Sequence, residues 1–449
     1  MIKTKLIGFV VAVALISIGV VIYGIIFPGV EKHQIKLPIY DMNKILDSKT
    51  LKQQIIQDTT VTVDGKKIRT LKIKFFAMKW QDVDIFETVG VLIPEVINPI
   101  YKGKAVIMQS GSLNMDPGLD IEKDFAAATA VTLGIPVLVG SLNVPPEPFG
   151  YKREEELSQA FRHKIKNEGD LTLEVLYPLA VIYMRAMTLM ENLDQAGKPS
   201  EFVTTGSSKR GSAQWIIAQK DIRVKGFMPN AFNAIDMGNY WDLIESEFGG
   251  NSMFGTTADW VDWMESPTGI AYRKEFDPEI YYTEKQKKFI MNIGTNDNFY
   301  PVQSGNGFMD KKNNGVFALI DNYPHGWGSQ KHLGNLRAII QRTFDNRKSP
   351  VVEVSSSDAE ENQIKVTAKI NNTEKINSVK IYYSTDFNNI SDNLKVVNST
   401  WKSVSMTNSN NAYVGYIPSS SIKLGYYVEI EDEFKGEKAY TTSKVIIKK

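Results

Sequence analysis

Three side chains far apart in the chain have the types that nucleophilic catalysis needs. Ser208 lies in "VTTGSSKRGSAQW", Val203 to Trp215, where a β-branched run ends in a Gly-Ser-Ser turn and a helix-like stretch follows at once. A serine on such a strand-to-helix turn is pushed out of the fold, where its hydroxyl can attack a carbonyl. The other use of a serine at that point is to cap the helix. Gly206 stands two positions before Ser208; Arg210 and Gly211 stand two and three after it. The usual elbow has glycine at plus two, where strand and helix pass closely, so Arg210 is a departure; Gly206, Arg210 and Gly211 are expected to support the elbow. Ser207 is the poorer nucleophile, with Thr205 and Lys209 at its flanks.

A serine hydroxyl needs a base to take its proton, and the base needs an acid to fix its tautomer. "TNDNFYP" follows an apolar run and contains Asp297; "DNYPHGW" follows the next and contains His325. The chain order Ser208, Asp297, His325 suits a serine on a doubly wound sheet. The oxyanion formed by attack needs N–H donors. One is expected from the backbone of Lys209, and the second from Gly111 or Ser112 in "QSGSLN". The other histidines are His33 in an N-terminal tether, His163 among charges and His332 in a final helix, where it reads as solvated or capping. Arg210, packed where helix meets strand, is expected to be structural and to pair with one of Glu154, Glu155 and Glu156.

Composition narrows the alternatives. The 449 residues contain 52 Lys plus Arg against 51 Asp plus Glu, so no basic field argues for nucleic acid. There is no cysteine, which excludes disulfides, thiolate metal sites and a thiol nucleophile. Four histidines do not suit a histidine-rich metal site, and no cofactor is implied.

The elements that must hold these residues follow from hydrophobic pattern. Leu6 to Phe27 is 22 residues without a charge, preceded by Lys3 and Lys5. It reads as an uncleaved membrane anchor, the N-terminus cytoplasmic and the rest outside, or otherwise a signal segment within residues 1–29. Residues 30–349 read as the α/β domain. A tether and a helix over "DMNKILDSKTLKQQI" come first, then the antiparallel runs "RTLKIKFFAMKW" and "DIFETVGVLIPE". Short apolar strands alternating with helices follow, which means a parallel sheet with crossovers. Segments 145–171 and 231–287 exceed ordinary connections, and the second is rich in aromatics; both read as lids or a helical subdomain. Residues 350–449 carry alternating Val-, Ile-, Ser- and Thr-rich runs with polar turns, as in an immunoglobulin- or fibronectin-like β-sandwich. That module is expected to be dispensable for chemistry, since His325 precedes it.

These residues resemble the PhoPQ-activated pathogenicity-related protein family. The family's Gly-Ala-Ser-Lys-Arg-Gly motif, followed shortly by Trp, is similar to "GSSKRGSAQW"; its later segments are similar to "DIRVKGFMP", "GTNDNFYP" and "DNYPHGW". "VPPEPF" and "KREEELSQAFRHKIKNEGD" resemble its acidic stretch upstream, and the likeness spans roughly residues 75–345. It implies an exported protein of α/β-hydrolase fold with Ser208, Asp297 and His325 as triad. Asn298 stands where the family often has Glu, Gln303 where Asp is common, and the family's tryptophan-histidine pattern is replaced by "IFETVGVLIPE".

Two functions compete on this reading. One is a membrane-anchored extracytoplasmic serine hydrolase cleaving an ester or amide of a small-molecule, lipid or peptide substrate. The other is a silent hydrolase-like protein that binds or signals, and it has no need to keep all three triad residues. Nothing in the sequence sets an oligomeric state.

Overall fold

A computed structural model describes residues 34–109, 121–249, 251–252, 255–256, 258–284, 286–311, 315–371, 374–389, 397–410, 412–420 and 423–448. The expected anchor at 6–27 and His33 lie outside the described residues. Among the described residues no helix is long and apolar enough to cross a membrane.

The strands are β1 Gln54–Val63, β2 Lys66–Trp80, β3 Val83–Pro94, β4 Lys104–Gln109, β5 Val137–Gly140, β6 Glu201–Ser207 and β7 Val224–Asn230. A two-residue hairpin follows, β8 Asn251–Ser252 and β9 Gly255–Thr256, then β10 Lys288–Gly294 and β11 Gly315–Ile320. The neighbours β5, β4, β6, β7, β10 and β11 are parallel, and β3 joins β5 antiparallel. The helices that wind around them are α1 Met42–Leu46, α2 Ile121–Leu133, α3 Glu154–Glu168, α4 Leu176–Glu191 and α5 Lys209–Lys220, followed by α6 Met237–Phe248, α7 Ala258–Met264, α8 Pro267–Phe276, α9 Pro278–Tyr281, α10 Asn306–Lys311 and α11 Gln330–Phe344.

The continuous apolar character of these strands has a direct cause: both faces of the sheet are covered. Ala105 and Ile107 of β4 pack with the Leu179 and Ile216 side of the core, beneath α4 and α5. Val106 and Met108, one residue out of phase, pack with Phe125, Leu336 and Ile340 of α2 and α11. The sheet is therefore doubly wound, as the alternation of strands and helices predicts.

Two expectations are corrected. The helix read over "DMNKILDSKTLKQQI" is only α1. Asp41 caps its start, Asp47 caps a 3₁₀ turn at Ser48–Thr50, and the chain then enters β1. The β-branched run through Thr62 is held by its ladder to β2; its faces are exposed, so it lacks the alternation that would have marked it.

The second correction concerns residues 350–449. They form β12 Val351–Ala359, β13 Gln363–Asn371, β14 Lys375–Ser384, β15 Lys402–Ser405, β16 Thr407–Ser409, β17 Ala412–Pro418, β18 Leu424–Phe434, β19 Glu437–Thr442 and β20 Ile446–Lys448. Two sheets do pack here, Ile364, Val366 and Ile417 of one against Ile381, Tyr426 and Val428 of the other. One of the two, however, is the central sheet itself. β19 pairs antiparallel with β11 through Phe317 and Thr442, and the 14-stranded sheet continues through β18 and β14 to β15. The shift in texture at Pro350 reflects a change from buried to half-exposed strands, not a break in the hydrogen-bonded plane. Arg347 at the junction is fully buried, with its guanidinium 3.0 Å from Asp432 of β18 and 2.8 Å from Gln341.

Candidate active site

Ser208 sits where β6 ends and α5 begins, with φ 58° and ψ −125°. This backbone conformation is costly for a side-chain-bearing residue and persists only where its surroundings enforce it. The enforcement is close packing. A Cβ on Gly206 would meet the Tyr183 hydroxyl at 2.6 Å and Arg210 Cβ at 2.8 Å. A Cβ on Gly211 would meet the Asn230 carbonyl at 2.6 Å. Gly211 thus provides the close approach of helix to strand, one position later than usual. The Ser208 N–H donates to Asn230 O at 3.0 Å, and Ser207, buried at the strand end, donates its N–H to Gln109 Oε1 at 2.9 Å. Ser208 faces a cavity of about 500 Å³, of which Ser207 is not a lining residue.

Asp297 and His325 follow β10 and β11, at the carboxyl ends of neighbouring strands, where doubly wound sheets carry their sites. His325 Nδ1 lies 2.8 Å from Asp297 Oδ2, and Asp297 is fully buried. The other carboxylate oxygen accepts the Phe299 N–H at 2.8 Å. With Nδ1–H donating to Asp297, the lone pair falls on Nε2. His325 lines the same cavity as Ser208, and the Phe299 ring packs on the imidazole with centroids 4.2 Å apart. The structure thus brings Ser208 and His325 to one cavity and hydrogen-bonds His325 to Asp297. Lys209, whose backbone N–H was expected to donate, opens α5. Gly111 and Ser112 lie outside the described residues.

Arg210 meets the acid expected of it: Nη2 is 2.8 Å from Glu154 Oε2, and Lys209 Nζ is 3.1 Å from both Glu154 and Glu155. Lys209 is therefore also a side-chain partner. Glu87 of β3 is buried in the same charged group, and desolvation pushes its carboxyl up to about 8 against the pull of the Arg210 guanidinium. His163 is exposed. His332 is not solvated: it is fully buried, its Nδ1 is 2.7 Å from Ser329 Oγ in a capping box, and burial pushes it down to about 3.

The two long insertions contribute to the cavity walls. α3 contributes Ser158, Gln159 and Arg162; the second insertion contributes Tyr240, Trp241, Trp260 and Tyr272. Arg162 is 3.3 Å from Glu174 Oε2, which also accepts the Tyr272 hydroxyl at 3.0 Å. Trp241 and Trp260 stack with an interplanar angle of 2°.

Sequence reasoning missed a buried amide ladder. Tyr440 N–H of β19 donates to Asn335 Oδ1, and Asn335 Nδ2 to Asn292 Oδ1. Asn292 Nδ2 donates to Asn230 Oδ1, and Asn230 Nδ2 to Thr205 Oγ1, each step 2.7–2.9 Å. It runs from β19 to the residue before Gly206. Its sequence signal is an asparagine at the end of one mostly apolar strand, "VKGFMPN", and inside another, "KFIMNIG". The C-terminal part also touches both loops of the site. Asn296 Nδ2 donates to Ser399 O, Asn322 Nδ2 donates to Trp401 O, and Gln303 Oε1 accepts from Asn388 Nδ2.

No curated protein matches the chain. Among solved structures it is similar to a glucuronoyl esterase from Solibacter usitatus, at TM-score 0.41 and 11% identity over 66% of this chain and 86% of that one. It is similar to an S-formylglutathione hydrolase from Agrobacterium tumefaciens, at TM-score 0.41 and 14% identity over 65% and 99%. An acetyl xylan esterase from Thermoanaerobacterium sp. gives TM-score 0.40 and 11% identity over 70% and 96%. These loose likenesses assign no residue a role. The family comparison is of another kind. The sequence model of the PhoPQ-activated pathogenicity-related proteins matches residues 45–392, from α1 through the loops of Ser208, Asp297 and His325 and into the C-terminal strands, and the chain belongs to that family.

Proposed function

We propose that the protein is a serine hydrolase that cleaves an ester or amide, held in a membrane by residues 6–27 with its catalytic part outside the cytoplasm. The observation that carries the reading is Ser208 at positive φ, on the cavity that also meets His325, whose Nδ1 is paired to buried Asp297. In this mechanism His325 Nε2 takes the proton as Ser208 Oγ attacks the carbonyl carbon. Asp297 keeps the imidazole in the right tautomer and balances its charge. The Lys209 N–H, at the N-terminus of α5, stabilises the oxyanion, with a second donor from Gly111 or Ser112. His325 returns the proton to the leaving group, and water releases the acyl group by the reverse steps. The anchor reading is supported by the 22-residue charge-free run behind Lys3 and Lys5.

Fluorophosphonate labelling tests the chemistry. The full chain in detergent is expected to label at Ser208, and Ser208→Ala to lose both the label and turnover, the latter by on the order of 10⁴. Labelling at full level in the alanine variant would remove Ser208 from the mechanism, and an unlabelled wild type would favour the silent binding protein.

A further inference from the structure

The cavity beside Ser208 has two chemically different walls. One is aromatic, with Tyr240, Trp241, Trp260 and Phe299 among its residues. The other is polar and comes from two helices. Ser212 lies one turn beyond Ser208 on α5, and its N–H donates to Ser208 O at 2.9 Å. Ser158 lies one turn beyond Glu154 on α3. Both serines line the cavity, both are buried, at 2% and 4% exposure, and neither hydroxyl has a hydrogen-bond partner among the described residues. The Arg210 Nε on the same wall also has no partner among the described residues.

Buried hydroxyls without partners are unfavourable, and a site containing them rejects ligands that leave them unpaired. A plain acyl chain against this wall would do so. An anion needs cations not already neutralised, yet Arg210 and Lys209 share Glu154, Arg153 is on Glu156 and Arg162 is on Glu174. A saccharide meets both walls, because its ring has apolar C–H faces and a rim of hydroxyls that donate and accept. The volume of about 500 Å³ suits a ligand of one or two rings.

We propose that the substrate is an O-acylated sugar, seated with its hydroxyls on Ser158, Ser212 and Arg210 and its ring against the aromatic wall. This rests on the serine hydrolase reading above. Ser208 Oγ bonds to the acyl carbon as the ester C–O bond to the sugar breaks. The sugar oxygen leaves as a hydroxyl with the proton from His325, and water then releases the acid and frees Ser208.

The test compares acetylated methyl glycosides of glucose, xylose and N-acetylglucosamine with cyclohexylmethyl acetate, a ring ester without hydroxyls, on the full chain. At least one glycoside is expected to exceed the cyclohexyl ester at least tenfold in kcat/KM. Ser158→Ala is expected to cut that preference about tenfold, chiefly through KM. Equal or better turnover of the cyclohexyl ester, or a preference unmoved by both Ser158→Ala and Ser212→Ala, overturns the sugar assignment and leaves the hydrolase reading standing. If Ser208 takes the fluorophosphonate but no ester turns over, the same glycosides must slow labelling; failure to do so also overturns the assignment. Absence of labelling together with absence of turnover overturns the hydrolase reading instead.

Discussion

At the residue scale, the charges beside the elbow set how stability depends on pH. Glu87 has an ordinary value near 4.5 when unfolded and is pushed to about 8 in the fold, first by desolvation. The folded chain therefore keeps a proton there that the unfolded chain loses. Its contribution to stability is greatest below pH 4.5, falls on the order of 1 kcal/mol per pH unit as pH rises, and levels off above 8. Glu87→Gln is expected to remove that slope, so its urea midpoint should gain on the wild type steadily between pH 5 and 8. Parallel curves would mean that Glu87 is charged in the fold. Arg210→Ala leaves Glu154 buried with only Lys209, and is expected to cost about 3–5 kcal/mol in urea unfolding. Arg210→Ala with Glu154→Ala should recover part of it, and an unchanged midpoint in the single variant would show the pair to be idle. Arg210 and its acid were legible in the sequence, because a cation at the plus-two position must be neutralised. Glu87 was not, since nothing local marks a carboxylate in a strand as buried.

At the element scale, the turn after β6 works because α5 lies almost on the backbone of β7. Gly211→Ala forces a methyl to 2.6 Å from the Asn230 carbonyl, and neither backbone segment can yield cheaply. The expected result is a loss of about 1–3 kcal/mol or more, with slower fluorophosphonate labelling as Ser208 shifts. Gly307→Ala in α10, where an added Cβ meets nothing within 4 Å, is the control and should be neutral or slightly stabilising. If Gly211→Ala melts and labels as the wild type does, the turn does not depend on close approach. The strand-helix alternation around this turn was readable because strands buried on both faces are continuously apolar. β1 was not, because a strand exposed on both faces shows no period. The amide ladder also escaped, because whether Asn230, Asn292 and Asn335 meet depends on register and helix docking, which no single stretch encodes.

For the whole molecule, the break in composition at Pro350 led to the expectation of a detachable module, and the topology argues otherwise. Cutting after Arg347 would expose the outer edge of β11, remove Asp432 from a fully buried guanidinium, and strip Ser399, Trp401 and Asn388 from the loops of Asp297 and His325. A chain ending there is expected to aggregate or to lose near-ultraviolet circular dichroism. A soluble, cooperatively melting 34–347 fragment that labels at Ser208 would restore the two-module view. The same edge has a consequence in time. Synthesis delivers β11 roughly a hundred residues before β19, so for that interval the sheet ends in an unpaired, apolar border of the sort that recruits foreign strands. Nascent chains released before Thr442 would carry Ser208, Asp297 and His325 and yet leave the edge of β11 bare, so the sheet is continuous past β11 only once β19 has emerged.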